Sequence, residues 1–562
     1  MRILLAYKTT GRSAADPYTS LLPVGMGSIC ALLRKNGFET RLANFSPFDW
    51  KKTEALLAEQ HPDVIGISQF THNRFAALRL AGLAKRVNPQ CFVVLGGPHA
   101  THRVQELLAE SPQIDAMVLG EGEETFLELV HQLKRSGGQD MTSIRGLACR
   151  SGGDIVITPP RAPIVNLDSL PSAVSCYDNA LGVDRQRQLE FVITSRGCPA
   201  ACSFCASPRF WGRALRFRSP RAIVDELRTI RDRYGLLYFS LRDDTFTADR
   251  GRVLEFCRLL VDEGLYILWS CQSRVTSVDE EMLGWMKMAG CECVQFGVES
   301  GSERILAALG KRITLSQVRQ AARATRRVGL HLSIYLITGV PGENTEDLEA
   351  TLRLIDEIKP HDGQVSPLAC YPGTSLFTEL VSIDGRNARM FETDRREAIY
   401  LRDDSFVTES TRALLDRLTK VGERGRFCPT DFAAQKKILG FCHATSLMAG
   451  EMYEAEGDLP RAEREYREIT VRQPENPWGW LALGELYGEM GEFMQAEKAF
   501  KRVMELVPAH APAYAALGEL FRMRGDAGQA GAWYRRALDL DPAEVTALAG
   551  LKRCAGKKRA GP

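Results

Sequence analysis

The residues best suited to chemistry lie in one short segment. Arg196-Gly-Cys-Pro-Ala-Ala-Cys-Ser-Phe-Cys205 sets Cys198, Cys202 and Cys205 with three and two residues between them. Thiolates are the usual protein ligands of iron–sulfur clusters. This spacing lets one tight loop hold three corners of a four-iron cube and leave one iron open to a small molecule. The competing use is a structural zinc site, which takes four ligands. No histidine or further cysteine stands close enough in sequence to be an obvious fourth. The chain holds 15 cysteines, scattered over 562 residues. Such a distribution speaks for a reducing cytoplasm and against a disulfide framework. Cys291-Glu-Cys-Val-Gln-Phe296 opens an apparent strand, so Cys291 and Cys293 read as core thiols.

The loop needs a scaffold. Over residues 191–375 strands and helices alternate, with expected strands at Glu190–Thr194, Leu237–Leu241, Ile267–Cys271, Cys293–Val298, Leu332–Ile337 and Gly363–Leu368. Six such units predict a partial parallel (β/α)6 barrel, with its chemistry where strands end and loops begin. The cysteine loop follows the first of these strands.

Residues 1–140 also alternate. Strands are expected at Ile3–Tyr7, Thr40–Ala43, Val64–Ser68, Phe92–Leu95 and Met117–Leu119, with helices at Val24–Asn36 and Glu123–Leu133. This pattern predicts a doubly wound parallel sheet, and the expected class is α/β. The apolar start, Met1 to Tyr7, is too short for a signal peptide and reads as a strand. Residues 141–190 read as a connector punctuated by Gly152-Gly153 and Pro159-Pro160, and 376–442 as a helical extension without a functional reading.

From about residue 443 a period of 34 appears. Trp480, Leu483, Gly484, Tyr487, Ala496, Phe500 and Pro508 return as Tyr514, Leu517, Gly518, Phe521, Ala530, Tyr534 and Pro542, and a weaker copy holds Gly450, Tyr453, Ala462, Tyr466 and Pro474. This is the tetratricopeptide pattern of paired helices. Three repeats and a capping helix fill 443–557 as an all-α solenoid. The repeat aromatics, Trp480, Tyr487, Phe500 and Tyr514, read as interhelical core. Net charge is +2 and no long apolar run occurs, so neither a nucleic-acid partner nor a membrane span is expected.

Cys198, Cys202 and Cys205 match the CxxxCxxC of the radical S-adenosylmethionine superfamily, which residues 191–375 resemble throughout. The resemblance implies a [4Fe-4S] cluster whose open iron is chelated by S-adenosylmethionine, with reductive cleavage to a 5′-deoxyadenosyl radical. It implies S-adenosylmethionine contacts at Phe204, at Asp243 and Asp244 in Asp243-Asp-Thr-Phe246, at Glu299 in Gly297-Val-Glu-Ser-Gly301, and at Gly342 and Glu343 in Gly339-Val-Pro-Gly-Glu343. A carboxylate pair such as Asp243-Asp244 could equally cap a helix, and Gly342 and Glu343 could be turn residues only. Tyr371-Pro-Gly-Thr374 follows the sixth strand, and Arg274, Trp211 and Cys271 are further candidates for facing the cavity.

Gly96-Gly-Pro-His-Ala-Thr101 and Gly120-Glu-Gly-Glu123 close consecutive strands, where open α/β sheets bind ligands. With Leu22-Pro-Val-Gly25 they resemble the cobalamin-binding domain that precedes many such enzymes. That resemblance implies cobalamin contacts at Gly96, Gly97, Pro98, His99, Gly120 and Gly122, His99 at the cofactor edge or packed in the loop. The D-x-H-x-x-G that supplies a cobalt-ligating histidine elsewhere is missing: Asp16-Pro-Tyr-Thr-Ser-Leu21 does not fit it.

Together the resemblances imply a cobalamin-dependent methyltransferase acting on an unactivated carbon. They also imply an electron donor such as flavodoxin or ferredoxin, and repeats that recruit a protein or a carrier-bound substrate. Rearrangement or ring chemistry is the alternative outcome. A repeat scaffold carrying a vestigial enzyme is the alternative of another class.

Overall fold

The computed structural model describes residues 1–9, 20–383, 390–393 and 399–557. Most of the Asp16–Leu21 segment lies outside them. The N-terminal domain is built on β1 (Arg2–Tyr7), β2 (Glu39–Asn44), β3 (Val64–Ser68), β4 (Phe92–Gly96) and β5 (Ala116–Val118). These five are parallel, in the order β2-β1-β3-β4-β5. Their near-continuous apolar character follows from burial on both faces. Helices Val24–Lys35 and Glu123–Ser136 cover one face, and helix Arg74–Val87 lies among those on the other.

The expected connector also extends this sheet. β6 (Leu147–Ser151) and β7 (Asp154–Ile157) form a hairpin, with Gly152-Gly153 at its turn, added antiparallel to β5. The sheet is therefore mixed and seven-stranded.

The barrel follows. β8 (Phe191–Val192) is short because Glu190, expected in the strand, ends the preceding helix Arg185–Glu190. β9 (Ser195–Arg196) and β10 (Arg216–Phe217) pair antiparallel at the base of the cysteine loop. β11 (Tyr238–Leu241), β12 (Leu268–Ser273), β13 (Cys291–Glu299), β14 (His331–Thr338) and β15 (Asp362–Pro367) complete an all-parallel sheet, ordered β15-β14-β13-β12-β11-β8. Alternation along these strands sends Phe239, Trp269, Val294 and Ile334 outward into the apolar core under the helices.

Seven helices from His443 to Lys557 form the repeats and their cap. Their glycines have a packing reason. A Cβ at Gly484 would sit 2.6 Å from the Phe500 ring, and Gly450 and Gly518 meet Tyr466 and Tyr534 in the same way. Each pair of helices thus closes by setting an aromatic ring on a bare backbone. Trp480 and Tyr514 are only partly buried. They donate hydrogen bonds to the carbonyls of Pro474 and Pro508, tying each repeat to the turn before it.

The repeats are not a free appendage. Leu268 at the start of β12 and Tyr238 at the start of β11 share an apolar cluster with Ala444, Leu447 and Leu481, which belong to the first helices of the first two pairs. His510 Nδ1 lies 2.7 Å from the Gly235 carbonyl, and Gly235 is so close to the Ala509 backbone that no side chain would fit. The array therefore closes the end of the barrel where strands begin, opposite the cysteine loop.

Candidate active site

The loop that carries the cysteines is pinched at its base by β9 and β10. Gly197, at φ +96°, lets the chain pass against the Ala214 carbonyl. Beyond the pinch, Ser203 N donates to the Leu309 carbonyl at 2.9 Å, and Leu376 N donates to the Ser203 carbonyl at 3.0 Å. These bonds fix the loop from two other elements. Cys198 is buried; Cys202 and Cys205 are partly exposed. All three, with Phe204, border one cavity of about 180 Å³.

Among the described residues no three His, Cys, Asp or Glu side chains converge closely enough to hold a single metal ion. The three thiols border one cavity, and cysteine thiolates are the usual protein ligands of iron–sulfur clusters. Burial pushes the Cys205 thiol up to about 12, so an anionic sulfur there needs a compensating positive charge. Arg274 places positive charge on the same wall beside Cys202, its Nη1 3.9 Å from Cys202 Sγ.

The expected S-adenosylmethionine contacts divide. Asp244 borders the cavity and accepts from the Ser207 hydroxyl; burial raises its carboxyl. Its neighbour Asp243 does not border it. Asp243 accepts from Thr194 N at 2.5 Å and Ser195 N at 3.1 Å, and so braces the end of the first barrel strand. Arg252 is 3.9 Å away.

Glu299 borders the cavity in a left-handed conformation, φ +70°, after a register shift between Gly297 and Glu299. The irregularity re-aims the side chain inward, where Lys311 Nζ pairs with it at 2.7 Å. Gly342 and Glu343 lie off the cavity. Glu343 Oε2 accepts from Gly339 N at 2.6 Å, and the Gly342 carbonyl accepts from Arg304, so this segment closes its own turn. Cys271 also faces away, buried in the outer core with Cys291. Gln272, Gln295, Lys311 and Tyr335 complete the wall. Sequence reading missed these four; Gln272, Gln295 and Tyr335 alternate with apolar neighbours on their strands, whereas Lys311 sits in a loop with no such signal.

The N-terminal domain presents a second cavity, about 280 Å³, at the carboxyl ends of its strands. Gly96, Gly97, Pro98, Gly120 and Gly122 border it, as do Val24 and Gly25. The barrel contributes Ile193, Phe210 and Trp211 to the same cavity. Gly97, at φ +102°, is required because its backbone passes against that of Gln69.

His99 is not part of this lining. It is buried, with Nδ1 3.0 Å from the Thr71 hydroxyl and its ring edge-on to Phe391, and burial brings its pKa down to about 3. The expected contact at the cofactor edge is thus replaced by packing under the loop.

A buried ion-pair network joins the two cavities. Arg196, two residues before Cys198, pairs with Glu121 at 3.0 Å and Glu123 at 2.5 Å; Arg216 pairs with Glu121 as well. The Arg196 guanidinium also lies 4.9 Å from the Trp211 ring centre. Glu121 and Glu123 alternate with the glycines of Gly120-Glu-Gly-Glu123, so the turn that borders one cavity also holds the loop that borders the other.

Three family models match the chain: the radical SAM superfamily over residues 192–355, the B12 binding domain over 14–130 and the tetratricopeptide repeat over 481–545. An uncharacterized methyltransferase of Pyrococcus horikoshii, PH0819, is 37% identical over 320 residues, 56% of this chain and 69% of that protein. The anaerobic magnesium-protoporphyrin IX monomethyl ester cyclase of Cereibacter sphaeroides is 30% identical over 390 residues, 68% of this chain and 64% of the cyclase. In fold the chain is similar to TsrM of Kitasatospora setae, a radical S-adenosylmethionine methyltransferase solved with cobalamin and a [4Fe-4S] cluster. That match has a TM-score of 0.57 at 20% identity and covers 68% of this chain and 75% of that one. The chain belongs to the radical SAM superfamily, as a member that carries a B12 binding domain ahead of the radical SAM domain and tetratricopeptide repeats behind it.

Proposed function

We propose that the protein is a cobalamin-dependent radical SAM methyltransferase. The observation that carries this reading is one short helix, Ser207–Phe210. Pro208 borders the three-thiol cavity, and Phe210 borders the cleft of the N-terminal domain. A radical source and a methyl carrier held in these two sites would be separated by little more than this helix.

In this reading Cys198, Cys202 and Cys205 hold a [4Fe-4S] cluster, and Asp244, Glu299 and Phe204 border the S-adenosylmethionine bound to it. Gly96, Gly97, Pro98, Gly120 and Gly122 let cobalamin approach the backbone closely. When bound, the cluster supplies the electron that cleaves S-adenosylmethionine, and cobalamin supplies the methyl group. The chain's own part is to orient and to exclude water. Arg274 places positive charge beside Cys202. Lys311 fixes the Glu299 carboxylate. The Arg196–Glu121–Glu123 network holds the cysteine loop at a set distance from the cleft. A flavodoxin- or ferredoxin-like protein would provide the electron.

Likeness to the cyclase supports a second reading, in which the same radical closes a ring. Anaerobically reconstituted protein should release 5′-deoxyadenosine and pass labelled methyl from S-adenosylmethionine to product. Label recovered in methionine, with none in the product, would favour the second reading. Cys202→Ala should abolish 5′-deoxyadenosine release, and full cleavage by that variant would end the cluster assignment.

The repeats bear on partners. In such arrays the concave surface is the usual binding face. Here the first helices of the first two pairs pack on Leu268 and Tyr238 of the barrel. Recruitment of a protein or a carrier-bound substrate would then use the outer helices or the third repeat. Among the described residues no helix is long and apolar enough to cross a membrane.

A further inference from the structure

Strand register decides which side chains face the interior of the barrel. Ser240 pairs with Ser270 across β11 and β12, and Gln272 with Gln295 across β12 and β13. Their polar groups meet: the two serine hydroxyls are 3.3 Å apart, and Gln272 Nε2 donates to Gln295 Oε1 at 3.0 Å. Across β14 and β15 the hydroxyls of Tyr335 and Ser366 are 3.4 Å apart.

The inner wall is thus polar, mainly hydroxyl and amide with Cys293, His331 and Asp362 in the same rows, on strands whose outer faces are aliphatic and aromatic. Closed barrels instead fill their centre with branched aliphatic side chains. An amide has two donors and an acceptor with two lone pairs, so one contact leaves most of the capacity of Gln272 and Gln295 unused. Lining a lumen with such groups is costly unless something hydrates or binds them.

The ends of the lumen are also defined. The cysteine loop lies over the carboxyl ends of the strands, and Leu268 and Tyr238 pack on the repeats at the other end. The edge strand β15 leaves Gln364 exposed, so the opening there is polar as well. The charged groups bordering the cavity, Asp244, Arg274, Glu299 and Lys311, stand at the carboxyl ends of the strands or in the loops beyond them.

We propose that the lumen takes a compact polar substrate, one that presents several hydroxyl or amide groups to this wall, and rejects lipids and tetrapyrroles. The inference rests on the radical SAM reading and names its substrate class. Gln272, Gln295 and Tyr335 border the same cavity as Asp244 and Glu299, so the substrate would meet them beside S-adenosylmethionine. An apolar ligand there would strip their water and return no hydrogen bond, which is the situation in which binding sites discriminate most strongly.

The test uses the whole chain, anaerobically reconstituted with iron, sulfide, cobalamin and S-adenosylmethionine and supplied with a low-potential reductant such as reduced flavodoxin. Release of 5′-deoxyadenosine is measured alone and with three additions: the aqueous phase of a metabolite extract of the source cells, its organic phase, and magnesium-protoporphyrin IX monomethyl ester in detergent. The aqueous phase alone should stimulate release, by about tenfold or more. A Gln272→Leu, Gln295→Leu double variant that keeps its full iron content should lose that stimulation. Stimulation by the organic phase or the tetrapyrrole, stimulation by neither phase, or undiminished stimulation in the double variant would overturn the inference. Protein that takes up no cluster, or releases no 5′-deoxyadenosine under any condition, would overturn the radical reading and this inference with it.

Discussion

The barrel meets its two neighbours in different ways. Toward the N-terminal domain the seam is ionic: Arg196, Arg216, Glu121 and Glu123 are each no more than about 10% exposed, and an open cavity lies beside them. Toward the repeats the seam is closed and mixed: Leu268 and Cys442 are buried, Tyr238 is partly buried, Gly235 is pressed against the Ala509 backbone, and the buried Lys287 and partly buried Glu292 of the barrel face Glu451. Buried ion pairs add little net stability, but they hold a geometry, because breaking one strands its partner. Apolar packing contributes in proportion to area and has no preferred direction. The ionic seam therefore suits a boundary that must keep a gap of set shape for ligands. The closed seam toward the repeats, packed around its buried charges, suits a boundary that only has to stay shut.

If that contrast is right, removing residues 443–562 is the most damaging change. It would bare Leu268, Tyr238 and their surroundings, and the truncated chain should be recovered as aggregate, judged by size-exclusion chromatography. A monomeric truncated protein with a native melting transition would mean that the lower seam is peripheral.

Glu121→Ala probes the other seam. It leaves Arg216 without its acidic partner and takes one of two from Arg196. A loss of about 3–5 kcal/mol is expected in denaturant unfolding of the N-terminal domain, as is usual when one member of a buried pair is removed. Solubility should be retained.

Gly484→Ala perturbs the repeats from within by driving a methyl against Phe500. The cost should be about 1–3 kcal/mol, read from the helical melting transition. Retained iron binding in this variant would keep the two seams separable.

The smallest effect is on pH. Glu451 and Glu485, on the first helices of the repeats, have carboxyl pKa values pushed up to about 7, chiefly by burial, then by Glu292 and Glu454 respectively, with Lys287 opposing at Glu451. A raised carboxyl favours the folded state while it is protonated. This contribution is present below about 4.5 and is lost as pH rises to about 7. A Glu451→Gln, Glu485→Gln variant should therefore gain melting temperature over the parent at pH 8 and gain less at pH 5.5, and an equal gain at both would assign the effect elsewhere.

Much of the architecture was legible because its signals are local. β3 occupies Val64–Ser68 as its apolar run predicts, and the helix pairs follow the period of 34. The hairpin β6–β7 was not legible. β7 is four residues long and at best half buried, so little distinguishes it from a connector. Among site residues, Asp243 and Asp244 follow the end of β11 where the chain turns; Asp243 accepts from Thr194 N and Ser195 N, and only Asp244 borders the cavity. Glu343 closes its own turn onto Gly339, and His99, in the short helix Pro98–His102, reaches the Thr71 hydroxyl on another segment.

What the sequence by itself determined was the kind of chemistry and the order of the parts. Cysteine spacing, strand alternation and a repeat period depend on residues close together in the chain. Which side chains face the cavities, and which surface the repeats give up to the barrel, were decided only in three dimensions. Register across β11 to β15 sets Gln272 beside Gln295. The folded chain also brings Glu121 to Arg196 and Leu268 to Leu447. No local pattern encodes such contacts, because they form between residues that the backbone keeps far apart until the domains close on one another.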